Sequence, residues 1–267
     1  MHCLFCKADT RNSRSVEHII PESLGNTEHI LPRGLVCDTC NNYFARKVEK
    51  PFLDTPFGKS TRAIMGVSNK RGRIPPIKGI DPKSRSIIEM IKSADGWSVG
   101  VAPGQDESRW IHKMRNSRHG VFYIPMPPDL PEANRDTARF IGKVAIEVFA
   151  AKCQHVEGAN AELVNHPDLD KLRTYVRVGT PNTTWPLAIR RIYDREHRFS
   201  DHRAHDFEVL HEWMILATDG GEYYCIVAIF GVEFAINLGG PDLDGWNAWL
   251  AANGNRSPLL DVSRHDR

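Results

Sequence analysis

Two cysteine pairs near the start of the chain constrain its fold more than any other feature. Both have the spacing Cys-x-x-Cys, and they lie at Cys3 and Cys6 and at Cys37 and Cys40. A two-residue spacer lets both thiolates of a pair reach one ion, and four thiolates complete the tetrahedral shell of Zn²⁺. We therefore expect a structural zinc site with no open coordination position.

The composition indicates a globular chain in a reducing compartment such as the cytoplasm. Of the 267 residues 41% are hydrophobic, which is enough for one sizeable core or for a small and a larger domain. Cys153 and Cys225 stand alone in apolar surroundings, so the cysteines do not form a disulfide scaffold. No apolar leader follows Met1 and no apolar run is long enough for a membrane span, so we expect neither export nor a membrane partner.

Positive charge is concentrated at the front of the chain. Residues 1–80 hold 13 Lys and Arg against 7 Asp and Glu, a formal charge of +6, and the remainder carries −4. A basic front end indicates a polyanion partner, although a solvated, charged surface explains the same count. Arg33, Arg46, Lys47 and Lys50 are candidates for phosphate contacts, because Lys and Arg position a duplex without reading its sequence.

The stretch Glu17–Pro21, Glu-His-Ile-Ile-Pro, carries groups suited to phosphodiester hydrolysis. That reaction needs a base for the attacking water and a metal ion for the developing charge. His18 can take the proton near neutral pH. Glu17 and Asn41, the residue after the last cysteine, offer oxygen ligands that suit Mg²⁺. Adjacent strand residues point to opposite faces, so a shared site needs the twist or strand end that Pro21 makes plausible.

In their order, the two cysteine pairs, the Glu-His-Ile-Ile-Pro stretch and the Asn after the last cysteine resemble the HNH endonucleases. The resemblance is to the four-cysteine, zinc-knuckle branch with a ββα-metal core, and it covers residues 1–56, about a fifth of the chain. It implies that His18 is the general base, that Glu17 and Asn41 hold a catalytic Mg²⁺ or Mn²⁺, and that the cysteines hold structural Zn²⁺.

This sequence departs from the common pattern of that family in two places. Many members have Asp before the catalytic His, whereas this chain has Glu17, which offers the same carboxylate on a side chain one methylene longer. The Asn that often braces the loop beside the base is missing from residues 31–34. Asn26 could brace this loop instead.

Each candidate role has a structural alternative. His18 could be a core histidine, Glu17 a solvent-facing strand residue, and Asn41 the cap of a helix. Asn42 competes with Asn41 for the metal role. The cysteines would form the same zinc site in a ribbon without catalysis.

The sequence also predicts the local structure of the front end. β-Branched residues favour a strand over residues 16–20, and a second strand is predicted at residues 35–36. From Asp38 an apolar residue recurs at four-residue steps, which predicts a helix that Pro51 ends or kinks. Two strands and a helix clamped by zinc make a small ββα unit that needs its metal for stability.

The rest of the chain predicts an α+β domain with an antiparallel sheet and a long helix. Residues 57–80 are basic and interrupted by Gly and Pro, so we expect a linker with a short helix in its first part. Residues 81–267 are predicted as the accessory or regulatory domain, with the long helix over residues 134–153 and a second helix over residues 169–176. We expect extended segments at 86–91, 97–101, 120–124, 185–192, 209–218, 222–230 and 233–238, and a short helix at 246–250.

These features together predict a metal-dependent DNA endonuclease that nicks or cleaves. One metal centre cuts one strand per event, so a double-strand break needs two visits or a homodimer. A second interpretation is a non-catalytic zinc-knuckle DNA-binding protein. A third is a nuclease gated by a C-terminal sensor or by a regulatory protein partner in a defence or mobile-element system, an association that rests on the habits of HNH proteins alone.

Overall fold

The computed structural model describes residues 1–69, 71–93, 96–117, 119–180, 182–195, 199–200, 206–207 and 211–262. The chain forms two compact units, the first made of residues 1–21, 26–55 and 130–267 and the second of residues 22–25 and 56–129. Helices and antiparallel strands together give the α+β fold that the sequence predicts. The functional boundaries expected at residues 56 and 80 stay predictions, because compactness does not test function.

A short hairpin forms the front of the first unit. Strand β1 (Glu17–His18) pairs antiparallel with β2 (Ile30–Leu31). The second strand predicted at residues 35–36 is therefore wrong. Leu35 and Val36 are apolar because the turn before the second knuckle buries them, and the Leu35 carbonyl accepts a bond from the Leu4 amide at 2.8 Å.

The helix predicted from Asp38 is present and continues past Pro51 with a change of pitch. It consists of α1 (Asp38–Phe44), a π-helical segment (Ala45–Glu49) and α2 (Lys50–Leu53). Proline has no amide hydrogen, so Pro51 cannot bond the carbonyl of Lys47 four residues earlier. The Arg139 guanidinium donates to that carbonyl instead, at 3.2 Å. Pro51 therefore does not end the helix, and the change of pitch is a π segment that lies just before it.

The long helix α5 (Arg135–Cys153) is the central element of the first unit. It begins at Asn134, whose side-chain oxygen accepts a bond from the Thr137 amide at 3.0 Å. Gly142 lets α7 (Asp168–Val178) approach closely, because a Cβ there would lie 2.8 Å from Val176 Cγ2. In the chain, α6 (Ala159–Asn165) follows α5 and precedes α7. In the described ranges no helix is both long and apolar enough to cross a bilayer.

Helix α5 packs on a four-stranded antiparallel sheet. The two central strands are almost wholly buried, which explains their near-continuous apolar sequences. In spatial order the strands are β6 (Ala188–Arg191), β11 (Val232–Asn237), β10 (Tyr223–Ile229) and β9 (His211–Ala217). The unit also contains the pair β7 (Phe199–Ser200) and β8 (Asp206–Phe207), and the helices α8 (Asp244–Ala252) and α9 (Leu259–Val262).

The second unit is built on a three-stranded antiparallel sheet. Its first strand lies in the region expected to be a linker, and the strand predicted at residues 120–124 is reduced to one bridge between Tyr123 and Ile80. A polar helix that the sequence did not predict begins at Asp106, whose carboxylate accepts a bond from the Arg109 amide at 2.9 Å. The elements are a 3₁₀ turn (Glu22–Leu24), α3 (Pro56–Ile64), β3 (Ile77–Asp81), β4 (Ser86–Ser93), β5 (Gly96–Val101) and α4 (Glu107–Arg115).

Candidate active site and metal centre

The four knuckle cysteines form one metal-binding cluster. The sulfurs of Cys3, Cys6, Cys37 and Cys40 all lie within 4.8 Å of one another. In a tetrahedral site with Zn–S bonds of about 2.3 Å the sulfurs stand roughly 3.8 Å apart, and those of Cys6 and Cys37 are 3.6 Å apart here. The predicted clustering is confirmed, and the donor set fits Zn²⁺.

Backbone amides around the cluster stabilise thiolates. The Cys37 amide donates to Cys3 Sγ at 3.4 Å, and the Cys40 amide donates to Cys37 Sγ at the same distance. A hydrogen bond from the Cys40 thiol and the nearby amides together lower the pKa of Cys3 to about 4 against the opposing effect of burial. The pKa of Cys40 is raised, because this thiol keeps its proton beside the Cys3 thiolate. A divalent cation would take over this role and favour the thiolate at every position.

The start of α1 is tied to the strand that carries the predicted catalytic pair. The Asn41 side-chain nitrogen donates to the carbonyl of Val16, next to Glu17, at 3.1 Å. The N-cap of α1 is Cys37, so capping does not explain Asn41. Asn42 is exposed and bonds the Asp38 carbonyl of its own helix at 2.9 Å. The structure therefore favours Asn41 over Asn42 as the residue that faces β1.

Asn26 braces the loop that follows β1. Its side chain is 97% buried and makes four hydrogen bonds. The amide nitrogen donates to the carbonyls of Ile20 and His29, and the amide oxygen accepts from the amides of Glu28 and His29. The Asn26 side chain thus braces the loop between the two strands, as suggested by the sequence, together with a bond from the Ile19 amide to the His29 carbonyl at 3.1 Å.

Glu17 is buried rather than solvent-facing, because it is paired with a lysine from the long helix. Its Oε1 atom lies 2.5 Å from Nζ of Lys143, which is itself fully buried. Burial raises the pKa of Glu17, and the charge of Lys143 opposes this effect. His18, the next residue, is half-buried. The alternative that placed Glu17 on an open surface is therefore excluded.

Two further carboxylates contact the same ammonium group. The sequence did not predict that Glu49, Lys143 and Glu147 lie beside Glu17. Glu49 Oε1 and Glu147 Oε2 each lie 3.0 Å from Lys143 Nζ. We call Glu17, Glu49, Glu147 and Lys143 the buried charge cluster. Burial lowers the pKa of Lys143, but the three carboxylates outweigh it and hold that pKa well above its ordinary value. The available signal was an oppositely charged i,i+4 pair within the apolar stretch of α5.

Glu17 and Asn41 carry oxygen donors of the kind that a hard divalent cation prefers. Glu17 approaches Lys143 through Oε1, and the Asn41 amide nitrogen is used by Val16. No group in the described ranges donates to Asn41 Oδ1.

The four basic residues expected at nucleic acid are exposed. Arg33, Arg46, Lys47 and Lys50 all lie on the surface, where Arg46 donates to the Asn42 carbonyl and Lys50 forms an ion pair with Asp54. Exposure agrees with phosphate contacts and equally with a solvated surface. Their role in binding nucleic acid stays a prediction.

The comparisons with known proteins identify the front of the chain. Residues 3–57 match the model of a family described as HNH endonuclease, which confirms the resemblance for this part of the chain. The matched range contains the four cysteines and Glu17, His18 and Asn41, whereas Lys143 and Glu147 lie outside it. Searches among curated proteins and among solved structures give no significant match.

Proposed function

We propose that this protein, whose residues 3–57 match the HNH endonucleases, is a metal-dependent endonuclease that hydrolyses phosphodiester bonds in DNA. The observation that supports this most is the hydrogen bond from Asn41 to Val16, which brings α1 to the strand carrying Glu17 and His18. Zn²⁺ on the four cysteines would hold the two knuckles together.

In this mechanism each residue has a distinct part. His18 takes the proton of the water that attacks phosphorus. Glu17 and Asn41 would hold a Mg²⁺ or Mn²⁺ ion, which would supply positive charge beside the phosphate and the leaving oxygen. Asn26 keeps the loop after His18 closed, so that the His18 side chain is already in position before the substrate binds.

Binding of DNA would rest on charge rather than on base contacts. Arg33, Arg46, Lys47 and Lys50 are exposed in the matched part of the chain and can contact phosphates. Contacts of this kind weaken as salt rises. A single catalytic centre per chain then nicks one strand per event, and double-strand cleavage requires a second visit or a second copy.

The test is conversion of supercoiled plasmid to open circles by zinc-loaded protein with Mg²⁺ or Mn²⁺. Replacing His18 by Ala removes the base and should lower the nicking rate at least 100-fold, on the order expected for loss of a general base. His29→Ala is the matched control, because His29 is an exposed histidine at the other end of the same loop. Zinc content and circular dichroism must agree among the three proteins.

Two outcomes would contradict the proposal. If His18→Ala cuts as fast as the wild type, His18 is not the base. If the wild type binds the plasmid without cutting it under any divalent metal, the protein is a zinc-knuckle DNA-binding protein instead.

A further inference from the structure

We infer that Lys143 is a positioning residue for the nuclease centre, which holds Glu17 and His18 in place from a helix outside the matched family range. This inference rests on the proposed function, because it gives Lys143 a role through the residues proposed there to act. The observation that carries it is one fully buried ammonium group in contact with both members of the Glu17–His18 pair.

The contacts of Lys143 differ between its partners. Its Nζ atom lies 2.5 Å from Glu17 Oε1 and donates to the backbone carbonyl of His18 at 3.3 Å. It thereby touches the side chain of the proposed metal ligand and the backbone of the proposed base. The third neighbour of Nζ within the matched range is Glu49 Oε1, at 3.0 Å. An ammonium group has three hydrogens, one for each of these oxygens.

Glu147 meets Lys143 from the lysine's own helix. Its Oε2 lies 3.0 Å from Lys143 Nζ, and an i,i+4 pair within α5 does not connect that helix to β1. Replacing Glu147 should therefore leave the hold of Lys143 on β1 intact. This difference separates a positioning role of Lys143 from a general effect of the buried charge cluster.

The helix that carries Lys143 is itself held by contacts with residues of the matched range 3–57. One turn earlier, Arg139 donates to the Tyr43 hydroxyl at 3.0 Å and to the Lys47 carbonyl at 3.2 Å. Phe140 stacks on Phe52 of α2 with ring centroids 4.2 Å apart. These contacts fix the position of α5, and therefore of Lys143, relative to α1 and α2. Packing of this kind restricts the geometry of a functional side chain.

The experiment compares four zinc-loaded proteins, each checked for zinc content and folding: the wild type, Lys143→Met, Glu147→Gln and Lys152→Met. Lys152→Met makes the same substitution on an exposed lysine of the same helix. Two quantities are measured, the electron paramagnetic resonance spectrum of bound Mn²⁺ and the plasmid nicking rate at saturating DNA and metal. If Lys143→Met does not fold, Lys143→Met combined with Glu147→Leu replaces it, because this pair also removes the buried carboxyl that faces Lys143 on the same helix.

A positioning role predicts that Lys143→Met changes the spectrum of bound Mn²⁺ and lowers the maximal nicking rate at least tenfold, with the Michaelis constant for DNA unchanged. Glu147→Gln and Lys152→Met should keep the wild-type spectrum and a rate within twofold. The inference is overturned if folded Lys143→Met, or its double variant, keeps both wild-type properties, or if Glu147→Gln changes both as strongly.

Failure of this inference is distinguishable from failure of the proposed function. If the wild type nicks and His18→Ala does not, an unchanged Lys143→Met overturns the positioning role alone. If the wild type neither nicks nor binds Mn²⁺, the proposed function and the role of Lys143 are both overturned.

Discussion

At the scale of single residues, buried polar side chains determine how the loop after β1 is held. Asn26 is the clearest case, since one amide serves four backbone groups. Replacing Asn26 by Ala removes the side-chain partner of the Ile20 carbonyl and of the Glu28 and His29 amides, while the His29 carbonyl keeps the Ile19 amide as a donor. We expect the free energy of unfolding to fall by about 2 kcal/mol, because unsatisfied buried groups cost on the order of 1–3 kcal/mol. Urea denaturation of the zinc-loaded protein measures this change.

Asn42→Ala is the control for that measurement. Asn42 is exposed and makes a single bond to the Asp38 carbonyl. Its replacement should change the free energy of unfolding by less than about 0.5 kcal/mol, as at most surface positions. Equal effects of the two substitutions would show that the loop does not depend on Asn26.

The buried carboxyl of Glu147 makes stability depend on pH. Burial raises its pKa well above the ordinary value of 4.5, although Lys143 opposes this. The folded state therefore favours the protonated form, whose contribution is complete below pH 4.5 and is lost as the pH rises through the folded pKa. Glu147→Gln stays neutral, so its free energy of unfolding relative to the wild type should increase from pH 5 to pH 8.

Urea denaturation at several pH values tests this trend, with the exposed Glu157→Gln as the reference. The zinc site titrates in all three proteins and cancels in the differences. A Glu147→Gln difference that stays constant over the range would mean that the carboxyl is ionised throughout.

At the scale of elements, the π segment and α5 depend on each other. Arg139 is 94% buried and donates to the carbonyls of Lys47, Val176 and Arg177 and to the hydroxyl of Tyr43. Arg139→Met would remove all of these bonds, although the Arg177 carbonyl and the Tyr43 hydroxyl would still be paired with each other. We expect the free energy of unfolding to fall by about 3 kcal/mol.

Arg135→Met tests whether the number of bonds matters. Arg135 lies one turn earlier on the same helix and donates to the Gly179 carbonyl alone among the groups described. Its replacement should cost about 1 kcal/mol. Thermal unfolding of both variants gives the comparison, and equal losses would contradict the role of Arg139 as the donor for the interrupted helix.

Periodicity explains which elements the sequence predicts. Helix α5 and strands β9, β10 and β11 were predicted because a long apolar pattern distinguishes a helix from a strand. The second strand of the hairpin was misplaced because Leu35 and Val36 are buried in a turn, and burial without pairing leaves the same apolar pattern. Helix α4 was missed because it is short and polar, with the cap at Asp106 as its main signal.

At the scale of the whole molecule, the zinc cluster should control the stability of the first unit. Each chain should bind one Zn²⁺, and removing it with a chelator should lower the melting temperature and abolish nicking. Nicking should return with Zn²⁺ and Mg²⁺ together but not with Mg²⁺ alone, because the thiolates and the oxygen ligands select different metals. Atomic emission measures the zinc content, and calorimetry measures the melting temperature.

Cys153→Ser is the control, because Cys153 lies outside the cluster. This variant should still bind one Zn²⁺ per chain.

The isolated fragment 1–57 should be inactive even with zinc. It lacks Phe140, on which Phe52 stacks, and it lacks the ammonium group that pairs with Glu17. The buried side chains of Phe52 and Glu17 are then exposed to water. Plasmid nicking by the zinc-loaded fragment tests this expectation, and an active, folded fragment would show that the module does not need α5.

The candidate site was predictable where its residues lie close together in the sequence. The knuckle cysteines, Glu17, His18 and Asn41 follow a short, ordered pattern whose chemistry is recognisable. The link from Lys143 to β1 was not predictable, since 125 residues separate the lysine from His18. Only the folded chain shows which of the many charged residues meets the pair.

That separation has a consequence during synthesis. Ribosomes add about 5–20 residues per second, so the knuckles and the Glu17–His18 pair leave the ribosome several seconds before Lys143 does. Over this interval the nascent chain can bind zinc, but its carboxylate has no partner. A messenger cut short, or a ribosome halted before α5, therefore yields a product in which Glu17 lacks the ammonium group of Lys143. Under the proposed function, the centre would be assembled only after α5 has left the ribosome.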